Sequence, residues 1–370
     1  MANLVAQKKE TILAANKKDL ATFAINDLAM FDRLKVDDDK IKGMILSLEQ
    51  LASQEDPVGQ ERFNFTHDNG LKICNKTASF GTVMIIYESR PDVTIEAGGI
   101  AFKSGNKILL KGGKESLNSN LSIVNLWHRA LVENGVDKDW VEYLNYDRNE
   151  TQTFLKNPTQ KIDLIIPRGG EKLIAFVKEN ANCPVIVSGR GNNFVYVAKE
   201  ADKKIALDII INAKVAKISA CNALDKVLID SGLPDCHGFL EELILKLATN
   251  DVEVLVDNTI ENFENEFLDY KIVIGLVNNA NDAIAKINKY CGGHSASIIT
   301  TDTNEAKLFM ESVDAAAVYQ NASTRFTDGF QFGLGGELAI STDKLHQRGP
   351  IGLQHLVTNK WYVFGDGQIR

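Results

Sequence analysis

From residue 83 to residue 321 the apolar positions come as short runs, separated by stretches in which they recur every three or four residues. VMIIYE (83–88), KILLK (107–111), WVEYLN (140–145), IDLIIP (162–167) and PVIVS (184–188) predict strands. So do FVYVA (194–198), KVLID (226–230), VEVLV (252–256), KIVIGLV (271–277), ASIITT (296–301) and AAAVYQN (315–321). Between them, 93–105, 116–135, 171–180, a long stretch from about Lys203, 238–250 and 282–290 read as helices. In 116–135, Leu121, Val124, Trp127 and Leu131 fall at helical spacing, and Gly135 ends the segment. Short apolar strands alternating with helices imply parallel β-α-β units. The pattern pauses near residue 193 and resumes, which predicts two Rossmann-like α/β domains with a cleft between them.

Two segments break the alternation. Residues 61–81 alternate apolar and polar positions around Asp68-Asn69-Gly70, a hairpin signature. NKWYVFGDGQIR (359–370) reads as an exposed aromatic strand. Open edges of this kind need covering, so these strands are expected to pair with another chain and make a homo-oligomer; the alternative is that they cap their own domain. Residues 1–60 read as charged helices.

Composition narrows the class. The chain has 370 residues, 44% hydrophobic and 24% charged, with a net charge of -8. That balance argues against nucleic acid or an anionic membrane as partner. No apolar run approaches the roughly 20 residues of a membrane span, and MANLVAQKKE lacks a signal-peptide core. The five cysteines, 74, 183, 221, 236 and 291, are an odd number without metal-like spacing. Reduced thiols in the cytoplasm are the expectation, and no metal.

Cys221 differs from the others. It lies between small and polar residues in KVAKISACNALDKVLID (214–230), after a helix and just before a strand. A structural thiol prefers apolar neighbours; here something can approach the sulfur. LIIPRGGEKLI (164–174) has a strand, Gly169-Gly170 and then a helix, with Arg168 adjacent. Such a turn suits a phosphate, because helix N-terminal amides and a guanidinium both attract it. KILLKGGKE places Lys111 and Lys114 around Gly112-Gly113, where a lysine could meet a ribose or its 2′-phosphate. Each of these alone also fits an ordinary turn or a solvated side chain.

Several motifs together carry a resemblance. SGNKILLKGGKES and NAKVAKISACNALDKVLI resemble the cofactor-lysine strand and the nucleophile segment of the aldehyde dehydrogenase superfamily. More narrowly, the segment 87–116, LIIPRGG, VYQNASTRFTDGFQFGLGGELAIST and KLHQRGPIGLQHL resemble the gamma-glutamyl phosphate reductase family, the glutamate-5-semialdehyde dehydrogenases. The resemblance runs over nearly the whole chain. It implies an α/β, aldehyde dehydrogenase-like fold, with 1–60 and 82–192 binding NADPH, 193–345 catalytic, and 61–81 with 356–370 as oligomerisation strands.

It implies NADPH-dependent reduction of L-glutamyl 5-phosphate to glutamate 5-semialdehyde and phosphate, the second step of proline biosynthesis. Cys221 would form a thioester; its backbone N–H and, more weakly, the Asn222 side chain would face the oxyanion. Lys111, Lys114, Arg168, Gly169, Gly170 and Glu266 would bind the cofactor, Glu266 at the nicotinamide ribose. In 321–329, Arg325 would take an anion, Asp328 the α-ammonium, with Ser323 and Thr324 as donors and Asn321 bracing the loop. Arg348 and Gly349 are expected to be structural, with Pro350 at a helix start. His294 is either a proton donor or a structural histidine. Functional coupling to a glutamate 5-kinase is a further implication, since the acyl phosphate is labile.

Hydrolytic relatives carry a Glu-Leu-Gly-Gly-Lys stretch, whereas CPVIVSGRGNNFVYV (183–197) holds no carboxylate, which fits an enzyme that must not hydrolyse its thioester. Four departures stand out. Members usually have a further N-terminal helix. Asn193 and Phe194 replace a usual Cys-His pair, Lys217-Ile218 replace Arg-Pro, and Asp92 replaces an Asn, so Asp92 is not placed at the oxyanion. The alternatives are a CoA-acylating or hydrolytic dehydrogenase, or an inactive scaffold of the same fold.

Overall fold

A computed structural model of the chain describes residues 1–24, 28–256 and 260–370. Two parallel sheets form its frame. The first has four strands in the order Val141–Tyr143, Lys107–Lys111, Thr82–Tyr87 and Leu164–Arg168. The second has six, in the order Ala317–Gln320, Ser295–Ile299, Asn193–Val197, Leu224–Asp230, Lys271–Val277 and Glu253–Val256. Both are near-continuous apolar runs because helices cover both of their faces.

On the first sheet, helices Pro91–Lys103 and Leu117–Glu133 cover one face. Helices Arg148–Lys156 and Glu171–Asn180 cover the other. The N-terminal helices Ala2–Gln7, Lys9–Thr22 and Asp38–Ser53 add an outer layer to the first face through Val5, Ile12, Ile41, Met44 and Leu51. Leu338, Ala339, Ile351 and Leu356, from the far end of the chain, join that core. On the second sheet, Lys203–Val215 and Cys236–Ala248 pack on one side, and Ala280–Tyr290 and Thr303–Ser312 on the other.

The predicted hairpin is present. Glu61–Thr66 pairs antiparallel with Lys72–Ser79, and Gly70 takes φ +86° in the turn. Val357–Phe364 pairs along the other edge of Lys72–Ser79, completing a three-stranded sheet. Its aromatic residues are exposed.

Three expectations are corrected. PVIVS makes only two isolated bridges, Ile165 to Val185 and Ser188 to Ser341. Ile165 donates to Pro184 O and accepts from Ile186 N–H. Pro167, two residues on and facing the same edge, has no N–H, so the ladder stops there. Leu121 is exposed, because the buried stripe of its helix runs through Asn120, Ile123, Val124, Trp127 and Leu131. Pro350 sits within the strand Gly349–Ile351, paired with Ala339–Ser341, and starts no helix.

Candidate active site

Cys221 lies three residues before the strand Leu224–Asp230, at the N-terminal edge of the second sheet. Its loop is fastened from four directions. Asn193 Nδ2 donates to Cys221 O at 2.8 Å and Ala223 O at 2.7 Å. Thr324 Oγ1 donates to Asn222 O at 2.9 Å. Asn222 Nδ2 donates to Thr327 O at 2.9 Å and Arg325 O at 3.2 Å. Arg33 donates to Ser219 O through Nη2 at 2.7 Å and Nε at 3.3 Å, while Ser219 Oγ donates to Asp32 at 2.8 Å. A side chain at Gly191 would collide with the Cys221 carbonyl, so only glycine permits this approach.

Both hydrogens of the Asn222 amide are therefore committed to carbonyls, and in this structure it braces the loop instead of offering itself to an oxyanion. The Cys221 N–H has no protein acceptor among the described residues. Asn193 braces the loop here, and Phe194 is wholly buried and stacked on Phe263 at 6.2 Å.

A cavity of about 90 Å³ brings Cys221 together with Arg168, Gly169, Gly170 and Glu266, as well as Arg33, Arg90 and Glu88. It lies between the C-terminal ends of the first sheet's strands and the Cys221 loop, where open α/β sheets bind ligands. Burial pushes the Cys221 thiol up to about 11; Glu337 also raises it, and Arg168 and Arg90 pull it down. Burial, then Asp225, pushes Glu266 up to about 7, against a hydrogen bond from the Gly191 backbone. Arg168 is 8% exposed, and its Nε has no partner. Arg90 follows Ser89, whose positive φ of 43° is held by two hydrogen bonds from its N–H and Oγ to Glu115.

A larger cavity of about 840 Å³ adjoins the first through their shared wall residue, Glu88. Lys111 and Lys114 line it, with Glu115, Asp147, Tyr146 and Phe176. Lys111 donates to Gly112 O at 2.8 Å, and burial lowers its pKa. Gly112 and Gly113 have no room for a Cβ, against Asn120 and Glu115. The size of this cavity and its three lysines, Lys111, Lys114 and Lys172, suit an anionic dinucleotide. The expected phosphate turn is partly occupied by the chain itself: the Gly170 N–H, at the start of helix Glu171–Asn180, donates to Glu88 at 3.0 Å. A diphosphate there would share or displace that carboxylate.

The loop 321–329 divides by role. Asn321, at φ 51°, exchanges two hydrogen bonds with the Thr300 backbone and so braces the end of strand Ser295–Ile299. Ser323 and Thr324 are buried, Ser323 accepting from Arg325 N–H and Thr324 fastening Asn222. Arg325 keeps Nε and Nη1 buried without partners. Asp328 caps Phe330 and Gln331 N–H and lines a third cavity, of about 250 Å³, with Lys40, Asp92, Glu96 and Glu337. Burial, reinforced by Asp92, pushes Glu96 up to about 8. His294 is buried, with Nδ1 against Ser295 Oγ at 2.8 Å and Nε2 without a partner, and burial lowers it to about 4. Arg348 pairs with Asp314 at 2.7 Å. Among the described residues no group of three or more potential ligands could hold a metal, and no helix is long and apolar enough to cross a membrane.

Sequence reasoning missed Arg33, Arg90, Glu88 and Glu337, and it singled out Asn193 without its bracing of the Cys221 loop. Arg33 comes from a short helix, Leu28–Leu34, in a segment that reads only as charged helices. Arg90 lies inside a motif that was visible, and its strand-end position was the available signal.

No family model matches the chain. A gamma-glutamyl phosphate reductase from Clostridium botulinum is 42% identical over a 384-residue alignment covering 100% of this chain and 92% of that protein. The crystal structure of a gamma-glutamyl phosphate reductase from Thermotoga maritima matches with a TM-score of 0.92 at 40% identity, covering 100% of this chain and 92% of that one. Two more distant structures share the fold. An acetylating aldehyde dehydrogenase from Geobacillus thermoglucosidasius matches at 15% identity and TM-score 0.73, over 100% and 93% of the two chains. A glyceraldehyde-3-phosphate dehydrogenase from Methanocaldococcus jannaschii, complexed with NADP, matches at 15% and 0.72, over 99% and 88%. With this sheet order, this cysteine loop and full-length identity above 40%, the chain belongs to the gamma-glutamyl phosphate reductase family.

Proposed function

We propose that this chain reduces L-glutamyl 5-phosphate to L-glutamate 5-semialdehyde with NADPH, through a thioester on Cys221. The observation that carries the reading is the convergence of Cys221, Arg168 and Glu266 on one cavity that adjoins a second, lysine-lined one. Cys221 sulfur attacks the 5-carbonyl, the C–O bond to the phosphoryl group breaks, and phosphate leaves with the bonding pair. The thiol proton ends on the phosphate, so an acyl phosphate dianion and a thiol give a thioester and HPO4²⁻. The Cys221 N–H faces the tetrahedral oxyanion. When bound, NADPH supplies a hydride for the thioester carbon. The resulting hemithioacetal oxyanion collapses to the aldehyde, and the departing Cys221 thiolate regains a proton.

Lys111 and Lys114 are assigned to the ribose and 2′-phosphate, Gly169 and Gly170 to the pyrophosphate, and Glu266 to the nicotinamide ribose. Arg325 and Asp328 are assigned to the substrate's carboxylate and ammonium. Residues 61–81 and 356–370 are assigned to pairing with a second copy of the chain. The five cysteines are free thiols, which suits a reducing cytoplasm, and supply of the labile acyl phosphate falls to a glutamate 5-kinase. The test is NADP reduction with glutamate semialdehyde. Wild type should require phosphate, and Cys221→Ser should lose at least about a thousandfold in kcat, the scale seen when a nucleophile is removed. Phosphate-indifferent turnover, or a Cys221→Ser variant as fast as its parent, would overturn the proposal.

A further inference from the structure

Three guanidinium groups face the cavity that holds Cys221: Arg33, Arg90 and Arg168. They come from separate parts of the chain, the N-terminal helix Leu28–Leu34, the residue before helix Pro91–Lys103, and the last residue of strand Leu164–Arg168. Arg168 is more than nine-tenths buried, yet it makes no ion pair or side-chain hydrogen bond among the described residues, and its Nε is unpartnered. A buried guanidinium without an acceptor is costly unless a ligand supplies one. Arg90 pairs loosely with Asp92, at 3.6 Å, and both it and Arg168 lie in the field of Glu96 and Glu337, to which neither makes an ion pair among the described residues. Arg33 uses Nε and Nη2 on Ser219 O and leaves Nη1 without a protein acceptor among the described residues. The opposing groups on the wall are Glu88, which already accepts from Gly170 N–H, and Glu266. Burial and Arg90 both depress the pKa of Arg33, whereas for Arg90 the effect of burial is outweighed by Asp92, Glu96 and Glu337, which raise it.

We propose that Arg33, Arg90 and Arg168 form the subsite that receives the phosphoryl group of the acyl phosphate and holds the inorganic phosphate it becomes. This rests on the function proposed above and adds the groups that drive its first step. The leaving group takes the electron pair of the C–O bond, so its negative charge grows as the S–C bond forms. Forked donors already in place need no reorganisation to meet that charge. The cavity has room for one tetrahedral oxyanion beside the sulfur; Gly169 and Gly170, assigned above to the dinucleotide's diphosphate, line the same cavity, and Glu88, which holds the Gly170 N–H, is shared with the larger one.

The experiment uses the full chain. Wild type, Arg33→Met, Arg90→Met and Arg33→Lys are assayed for NADP reduction at varied phosphate and at varied NADP. Alkylation of Cys221 by iodoacetamide is followed with and without inorganic phosphate, a readout independent of turnover. The expected result is a KM for phosphate raised about tenfold or more in both Met variants, the loss of one charged hydrogen-bonding group. The KM for NADP should stay within about twofold, and Arg33→Lys should recover part of the loss. Phosphate should protect Cys221 in wild type and fail to do so in the Met variants. Arg90→Met, which leaves the Ser219 bracing untouched, keeps the test sound if Arg33→Met misfolds. Unchanged phosphate KM and protection in Arg90→Met, or a rise in the KM for NADP instead, would overturn the subsite. A wild type that needs no phosphate would overturn the proposed reaction itself, a distinguishable failure.

Discussion

At the residue scale, the reactivity of Cys221 is a contest of charges. Burial holds its thiol near 11, Glu337 adds to that, and Arg168 and Arg90 oppose it. While the pH lies below the pKa, a rise of one in that pKa cuts the thiolate fraction about tenfold. Arg168→Met should therefore slow iodoacetamide alkylation of Cys221 at pH 8 by about three- to tenfold, and Glu337→Gln should speed it. The wild-type rate should still be climbing at pH 10, since the thiol remains mostly protonated there. Mass spectrometry of the alkylated peptide reads both; changes in the same direction, or a rate already flat at pH 8, would contradict this electrostatic account. Cys221, Arg168, Gly169 and Gly170 were legible in the sequence as chemistry and Glu266 only through the family resemblance, and one cavity is lined by them all. The commitment of Asn222 was not legible, because its two acceptors, Arg325 O and Thr327 O, lie about a hundred residues away.

At the element scale, the strand Leu224–Asp230 is buried along its whole length, although it begins Leu-Asp-Lys. Asp225 accepts from Lys214 Nζ at 3.0 Å, with both side chains buried, and from Phe267 N–H at 3.0 Å. Lys226 donates to Asn265 O at 2.8 Å and lies 4.0 Å from the Phe267 ring centroid, and burial lowers it to about 8. This polar knot fastens the nucleophile's strand to the segment that carries Glu266. Asp225→Asn would strand a buried ammonium and should cost ~3–5 kcal/mol in urea unfolding. Replacing the pair by Asp225→Leu with Lys214→Met should recover most of it. A loss under about 1 kcal/mol would show that the pair carries no such weight. The strands and helices themselves were readable, since periods of 2 and 3.6 survive in the sequence. PVIVS and Pro350 were misread because the missing N–H of Pro167 and the partner strand Ala339–Ser341 lie elsewhere in the chain.

At the scale of the whole molecule, the three-stranded sheet presents an apolar surface that stays exposed among the described residues. Phe63 and Phe65 share a face, and Phe63 meets Trp361 edge-on with ring centroids 5.8 Å apart. Trp361 is 55% exposed and Phe364 61%. Strand Glu61–Thr66 is exposed along its length and forms one open edge of the sheet; Val357–Phe364 forms the other. Isolated exposed aromatics are ordinary, but a contiguous aromatic stripe beside open strand edges suits the proposed pairing. A second copy is the natural partner, since the same strands on both chains can meet about a two-fold axis. The cavity around Cys221 is built from the two parallel sheets and the N-terminal helix, not from this arm. Phe65→Glu with Trp361→Glu should therefore convert the assembly to monomers by analytical ultracentrifugation at micromolar concentration. Secondary structure should be unchanged, because neither side chain lies in a core cluster. A wild type that sediments as a monomer, or a variant that keeps its oligomeric mass, would show that the arm serves its own chain alone.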